Sequence, residues 1–186
     1  MNKGKAATIA GSIGLVFFIL TWLISHPGSA DQGNAKQPDA VASASTPLPK
    51  DPVDQKKFFE DYLAKHPGYV PALLKLSALE HSFGQLADAR RHLEQVVAQD
   101  GTLIEARLQL ADICKEMDDL PAAESQNLEV LKLDPHQVGA LSNLGALCAR
   151  QGRTEEARRY FREAVQYGPN TDAGRAAAIG LAALGH

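Results

Sequence analysis

The sequence predicts an all-α chain in which helix pairs stack into a solenoid behind one N-terminal membrane-spanning helix. Three observations predict it. A pattern of leucine, small residue, alanine and proline returns every 34 residues between Val70 and Asn170. Within each return the apolar residues fall at helical spacing, as Leu141, Leu144, Leu147 and Cys148 do. A run from Ala6 to Ser25 contains no charged residue.

Residues 1–5 carry Lys3 and Lys5, and the run AATIAGSIGLVFFILTWLIS (6–25) follows. A helix of that length spans about 30 Å at about 1.5 Å per residue, the thickness of a bilayer core. Trp22 suits the interface near one end, and the far flank has no Lys or Arg until Lys36. The asymmetry of positive charge puts the N-terminus in the cytoplasm and everything after Ser25 across the membrane. Gly28-Ser29-Ala30 would suit a signal peptidase, but the apolar run exceeds the ~7–15 residues usual in a signal peptide. Both readings export the rest of the chain.

Residues 26–51 are rich in Pro, Ala, Ser, Gly and Asp and lack aromatic residues. Such a stretch cannot bury enough surface to offset its ordering entropy and is expected to be a disordered tether spanning roughly 30 Å. Residues 52–69 then place Phe59, Tyr62 and Leu63 on one helical face before Pro67. In register this is the second helix of a pair whose first helix is missing, and it is expected to cover the helix beginning near Pro71.

Three full units follow: 70–103, 104–137 and 138–171. Leu76, Leu110 and Leu144 occupy one register position, and Ser77, Ala111 and Gly145, all small, occupy the next. Ala89, Ala123 and Ala157 share a position, as do Val96, Val130 and Ala164, and Pro67, Gly101, Pro135 and Pro169 mark the boundaries. Gly145 lets a second helix approach closely. Gly152 ends the first helix, because glycine alone accepts the left-handed cap cheaply. Thr154 starts the next, with Glu155 and Glu156 in its positively polarised first turn. Ala157, Phe161, Ala164 and Val165 form the buried stripe, and Pro169 stops the helix. One such pair cannot cover its own apolar face, so it must stack on the next. Residues 172–186, alanine-rich and helical in propensity, read as a closing helix over Tyr160 and Val165. Ile179, Leu181 and Leu184 on it would otherwise suit a contact between subunits.

The stretch NLGALCARQGRTEEARRYFREAVQYGPN resembles the tetratricopeptide repeat (TPR), whose period and Leu-Gly, Ala, aromatic, Ala, Pro pattern it shares. The resemblance implies a right-handed superhelical TPR solenoid with a concave face lined by the first helix of each unit. It departs from the pattern at Arg107, where an aromatic or leucine is usual, at Glu80, Cys114 and Cys148, where tyrosine is usual, and at Leu93 and Asn127, where an aromatic is usual. By resemblance the groove is lined by Leu74, Ala78 and His81, then Leu108, Asp112 and Lys115, then Ser142, Ala146 and Ala149. That mixed lining suits an extended peptide or a short helix. It lacks the Lys and Asn array that clamps a terminal carboxylate in chaperone-binding members.

Net charge is −3, and −5 from Asp31 onward, which argues against a nucleic-acid-binding domain. Arg150, Arg153, Arg158, Arg159 and Arg162 are interleaved with Glu155, Glu156 and Glu163 and read as an ion-paired helix face. There is no phosphate-binding loop, no Cys-x-x-Cys and no His-Glu-x-x-His, and the histidines never pair at metal-ligand spacing. No catalytic residue, metal or cofactor is expected. Cys114 and Cys148 share a repeat position. Stacked helices would hold them about 8–10 Å apart, beyond the ~5.5 Å between Cα atoms that a disulfide needs, so both read as small core residues.

These readings converge on a non-enzymatic scaffold or adaptor that binds a protein or peptide partner. The layout is similar to bacterial single-span inner-membrane proteins with periplasmic TPR domains, among them assembly factors for c-type cytochromes and ancillary subunits of the export channel. Self-association through the C-terminal helix and thiol chemistry at the two cysteines are the competing expectations.

Overall fold

A computed structural model describes residues 48–185; the predicted membrane run 6–25 and most of the tether lie outside them. Among the described residues no helix is long and apolar enough to cross a membrane. The described residues form α1 (Pro52–Lys65), α2 (Val70–Ser82), α3 (Leu86–Gln99), α4 (Ile104–Glu116), α5 (Leu120–Leu133), α6 (Val138–Arg150), α7 (Thr154–Tyr167) and α8 (Asp172–Ala183). Each helix packs on its neighbours in sequence, and α8 touches both α6 and α7. This is the order of a solenoid, in which a unit meets only the units beside it.

The last residues before α1 are already part of the array. Asp51 accepts a hydrogen bond from the Val53 amide and caps the helix, and the Gln55 side chain donates to the Pro49 carbonyl at 2.9 Å. The predicted tether therefore stops short of Pro49 on the array side. Phe59 and Leu63 of α1 are buried in the core that α1 shares with α2.

The turn inside each pair is the same three times. Gly84, Asp118 and Gly152 stand in the left-handed region at φ 72°, 62° and 73°. The following amides, of Gln85, Asp119 and Arg153, donate to the carbonyls of Glu80, Cys114 and Cys148 at 2.8, 2.8 and 2.9 Å. This six-to-one bond and the left-handed residue inside it close a helix with no orphaned carbonyl. Asp118 is the exception in chemistry, since it fills with a side chain the place glycine holds twice.

The core repeats with the turn. Ala89, Ala123 and Ala157 are wholly buried, as are Val96, Val130 and Ala164. Cys114 and Cys148 are free and buried, as the packing reading expects. The residues facing across each pair differ in size. A Cβ built on Gly145 would stand 2.4 Å from the Phe161 ring, and one built on Gly180 of α8 would stand 2.5 Å from the far end of the same ring. Phe161 is thus wedged between two helices that approach closely because they lack side chains there. Asn127 takes the place of Phe161 one unit earlier, opposite the register of Ala111. It is 1% exposed and donates to its own Ala123 carbonyl at 2.8 Å, so its amide is satisfied within the helix. Arg107 replaces the apolar residue of the first helix by reaching sideways to the Gly101 carbonyl at 2.6 Å and to Gln126 at 2.9 Å.

Candidate functional site

Three helices present their first-of-pair faces side by side: α2, α4 and α6. Side chains four and then three residues apart share a helical face, which is why Leu74, Ala78 and His81 line up on α2, and Leu108, Asp112 and Lys115 on α4. The structure brings Ala78, His81 and Asp112 around one recess of about 210 Å³, with Ser77, Leu93, Gln109 and Ile113 completing its walls. Its floor is apolar, from Leu93 and Ile113, both buried. Leu74 and Leu108 are half-buried.

The rim is polar and internally paired. His81 Nε2 lies 3.0 Å from both carboxylate oxygens of Glu116, which ties α2 to α4 at the exposed surface. Lys115 Nζ donates to Asp112 at 2.6 Å and to Asn143 Oδ1 at 3.4 Å. Asn143 Nδ2 donates in turn to Asp112 at 3.3 Å and to Asn127 Oδ1 at 3.4 Å, so one carboxylate, one ammonium and two amides link α4, α5 and α6. Such a network offers acceptors and donors to a peptide backbone and holds them in place beforehand.

The third set of predicted lining residues lies outside this recess. Ser142 is 9% exposed, and Ala146 and Ala149 are half-buried against the cluster of Leu141, Cys148, Phe161 and Ala177. The closing helix packs on α6. Asn143, Gln109 and Glu116 belong to the site and were missed by sequence reasoning. Each is one position off the expected face, and which neighbouring side chain it meets depends on how far adjacent pairs are rotated.

Catalytic groups do not gather in this face. Among the described residues no three His, Cys, Asp or Glu side chains stand together to hold a metal. Burial pushes both cysteine thiols above their ordinary range, the reverse of what a nucleophile needs. Among the described residues, one buried acid–base pair is found, and it lies off the groove. Glu80 and His92, 2% and 9% exposed, meet at 2.7 Å between α2 and α3. Their signal in the sequence was a charged residue standing where the pattern has tyrosine.

Comparison with known proteins agrees with this geometry. The family model for the tetratricopeptide repeat matches residues 138–171. A stretch of 67 residues, 36% of this chain, is 42% identical to cellulose synthase operon protein C of Komagataeibacter xylinus, and that stretch is 5% of the relative's length. Among solved structures, MamA superposes with a TM-score of 0.61 at 22% identity, covering 70% of this chain and 73% of that one. YrrB, described as a TPR protein with an unusual peptide-binding site, superposes with a TM-score of 0.63 at 23% identity, covering 69% and 66%. The match of residues 138–171 to the repeat model and these superpositions together show that the described helices share the fold of tetratricopeptide repeat proteins.

Proposed function

We propose that the chain is a non-catalytic scaffold that holds a polypeptide segment along the first-of-pair faces of α2 and α4. The recess around Ala78, His81 and Asp112 carries this reading. It has an apolar floor for one side chain and a pre-paired polar rim for the backbone on either side. The fold is shared with YrrB, itself described as binding peptide. The run 6–25 would tether the array to a membrane, with the N-terminus in the cytoplasm and the array in the periplasm, and the charge asymmetry around that run supports the orientation.

A photo-crosslinking residue placed at Asp112 in intact cells tests the groove, with Leu128 on the opposite side of the unit as control. Adducts to a discrete polypeptide from position 112 and none from 128 are expected. Equal yields from both, or none from 112, would refute the reading. Protease added outside the cytoplasmic membrane tests the orientation, since it should reach the array while Lys3 stays protected. Self-association through α8 retains a single support: Ile179, 72% exposed. Leu181 and Leu184 are half-buried against the same core cluster that Tyr160 and Val165 meet, as part of the chain's own packing.

A further inference from the structure

The face between α7 and α8 repeats a surface that is covered in the preceding units. A cleft of about 550 Å³ there is lined by Arg158, Arg162 and Val165 from α7 and by Ala178, Leu181 and Ala182 from α8, with Gly185 at its end. One period earlier, Ala178, Leu181 and Ala182 correspond to Leu144, Leu147 and Cys148, each 0% exposed; Cys148 shares a cluster with Ala157, Phe161 and Ala164 of α7. Two periods earlier they correspond to Leu110, Ile113 and Cys114, exposed by 2%, 2% and 1% beneath α5. Among the described residues no helix covers the α7–α8 cleft, and Ala178 and Ala182 are exposed in it.

The charge that a covering helix would carry follows from the same register. In the two full units before it the residue at the Arg158 position pairs with the residue that opens the covering helix, whereas in the half-unit Lys56 pairs with Glu60 of its own helix. Arg90 pairs with Asp119 at 2.8 Å, and Glu124 pairs with Arg153 at 2.6 Å. The sign on one side is answered by the opposite sign on the other. With arginine in that place a carboxylate at the start of a covering helix would complete the same pair, which the positive end of that helix's own dipole also favours. Arg158 meanwhile donates to the Leu184 and Gly185 carbonyls, and its Nε, 3.6 Å from Glu155, is buried without a hydrogen bond. Arg162, exposed on the cleft wall, has no ion-pair or hydrogen-bond partner among the described residues.

We propose that this cleft is a second docking site, separate from the concave groove, for an amphipathic helix of a partner protein with a small apolar stripe and an acidic first turn. Alanine at 178 and 182, where leucine and cysteine stand one unit earlier, leaves room for larger apolar side chains from that helix.

The test uses the full-length chain in a mild non-ionic detergent. The probe is a fluorescent 14-residue peptide, the length of α7, with the Ala157, Phe161 and Ala164 spacing and two glutamates in its first turn. A twin carries lysines in place of the glutamates. The acidic peptide should bind in the micromolar range and roughly tenfold tighter than its twin, with an advantage that shrinks as salt rises. Arg162→Glu should abolish or invert the preference. Ala178→Trp should block both peptides by filling the cleft, while the circular dichroism spectrum and melting temperature stay as in the parent. Equal binding of the twins, no binding at millimolar peptide, or an unchanged preference in Arg162→Glu would overturn the proposal. A dimer in light scattering that Ala178→Trp dissociates would assign the cleft to a second copy of the chain and overturn it equally.

Discussion

Replacing Gly145 with alanine adds one methyl group at the tightest contact between a first and a second helix. That methyl would stand 2.4 Å from the Phe161 ring. The ring cannot swing aside, because it is 4% exposed and Gly180 of α8 closes on its other end, with a Cβ position only 2.5 Å away. Overpacking of this kind costs about 1–3 kcal/mol. Alanine recovers about 1 kcal/mol over glycine in a helix interior. The net expectation is a loss of about 1 kcal/mol and a fall in melting temperature of roughly 3 °C, read by far-ultraviolet circular dichroism. The control is the same change beside Phe161→Leu. There the ring is gone and only the helix preference remains, so Gly145→Ala should raise stability, with a coupling of about 2 kcal/mol between the positions. If Gly145→Ala has the same sign and size in both backgrounds, the close approach does not explain the glycine.

Other consequences follow from single observations. Asp118→Gly should stabilise the array by about 0.5–1 kcal/mol in thermal melts, since it relieves a left-handed residue and gives up only an exposed pair with Arg150. Glu80→Ala should destabilise by about 3 kcal/mol, because it leaves His92 buried without its partner; a melt within about 0.5 kcal/mol of the parent would show that the pair is not structural. The Asp119 carboxyl is held below its ordinary range by hydrogen bonds from Arg90 and the Ala122 amide. A folded-state depression adds stability that is present above the unfolded value of about 4 and is lost as pH falls through the folded one. Melts taken down a pH series should therefore lose stability in that acidic window, less steeply in Asp119→Asn. Native-state thiol titration should find Cys114 and Cys148 slow, each reacting only as the chain opens, since burial both hides the sulfur and raises its pKa.

The regular part of the molecule was legible because it rests on short-range requirements. Gly152 marks a left-handed turn, Ala157 and Ala164 mark close helix contacts, and Pro169 marks a stop, each from local sterics. The irregular part was not. Arg107 and Asn127 read as breaks in an apolar pattern, yet the structure satisfies one with a turn carbonyl and the other with its own helix. Glu80 and His92 stand on different helices, and nothing in either neighbourhood announces the other.

By itself the sequence determined the period, the helix pairs and the identity of the residues that had to be small, because a fixed repeat length and the absence of a side chain are properties of the chain. The tertiary structure alone decided which polar residues meet. It placed Glu116 against His81, set Asn143 among Asp112, Lys115 and Asn127, packed α8 on α6, and left the α7–α8 cleft uncovered by any described helix. The reason is geometric: each of these contacts depends on the rotation between successive pairs, and that angle is fixed by packing across the stack rather than by residues neighbouring in the chain.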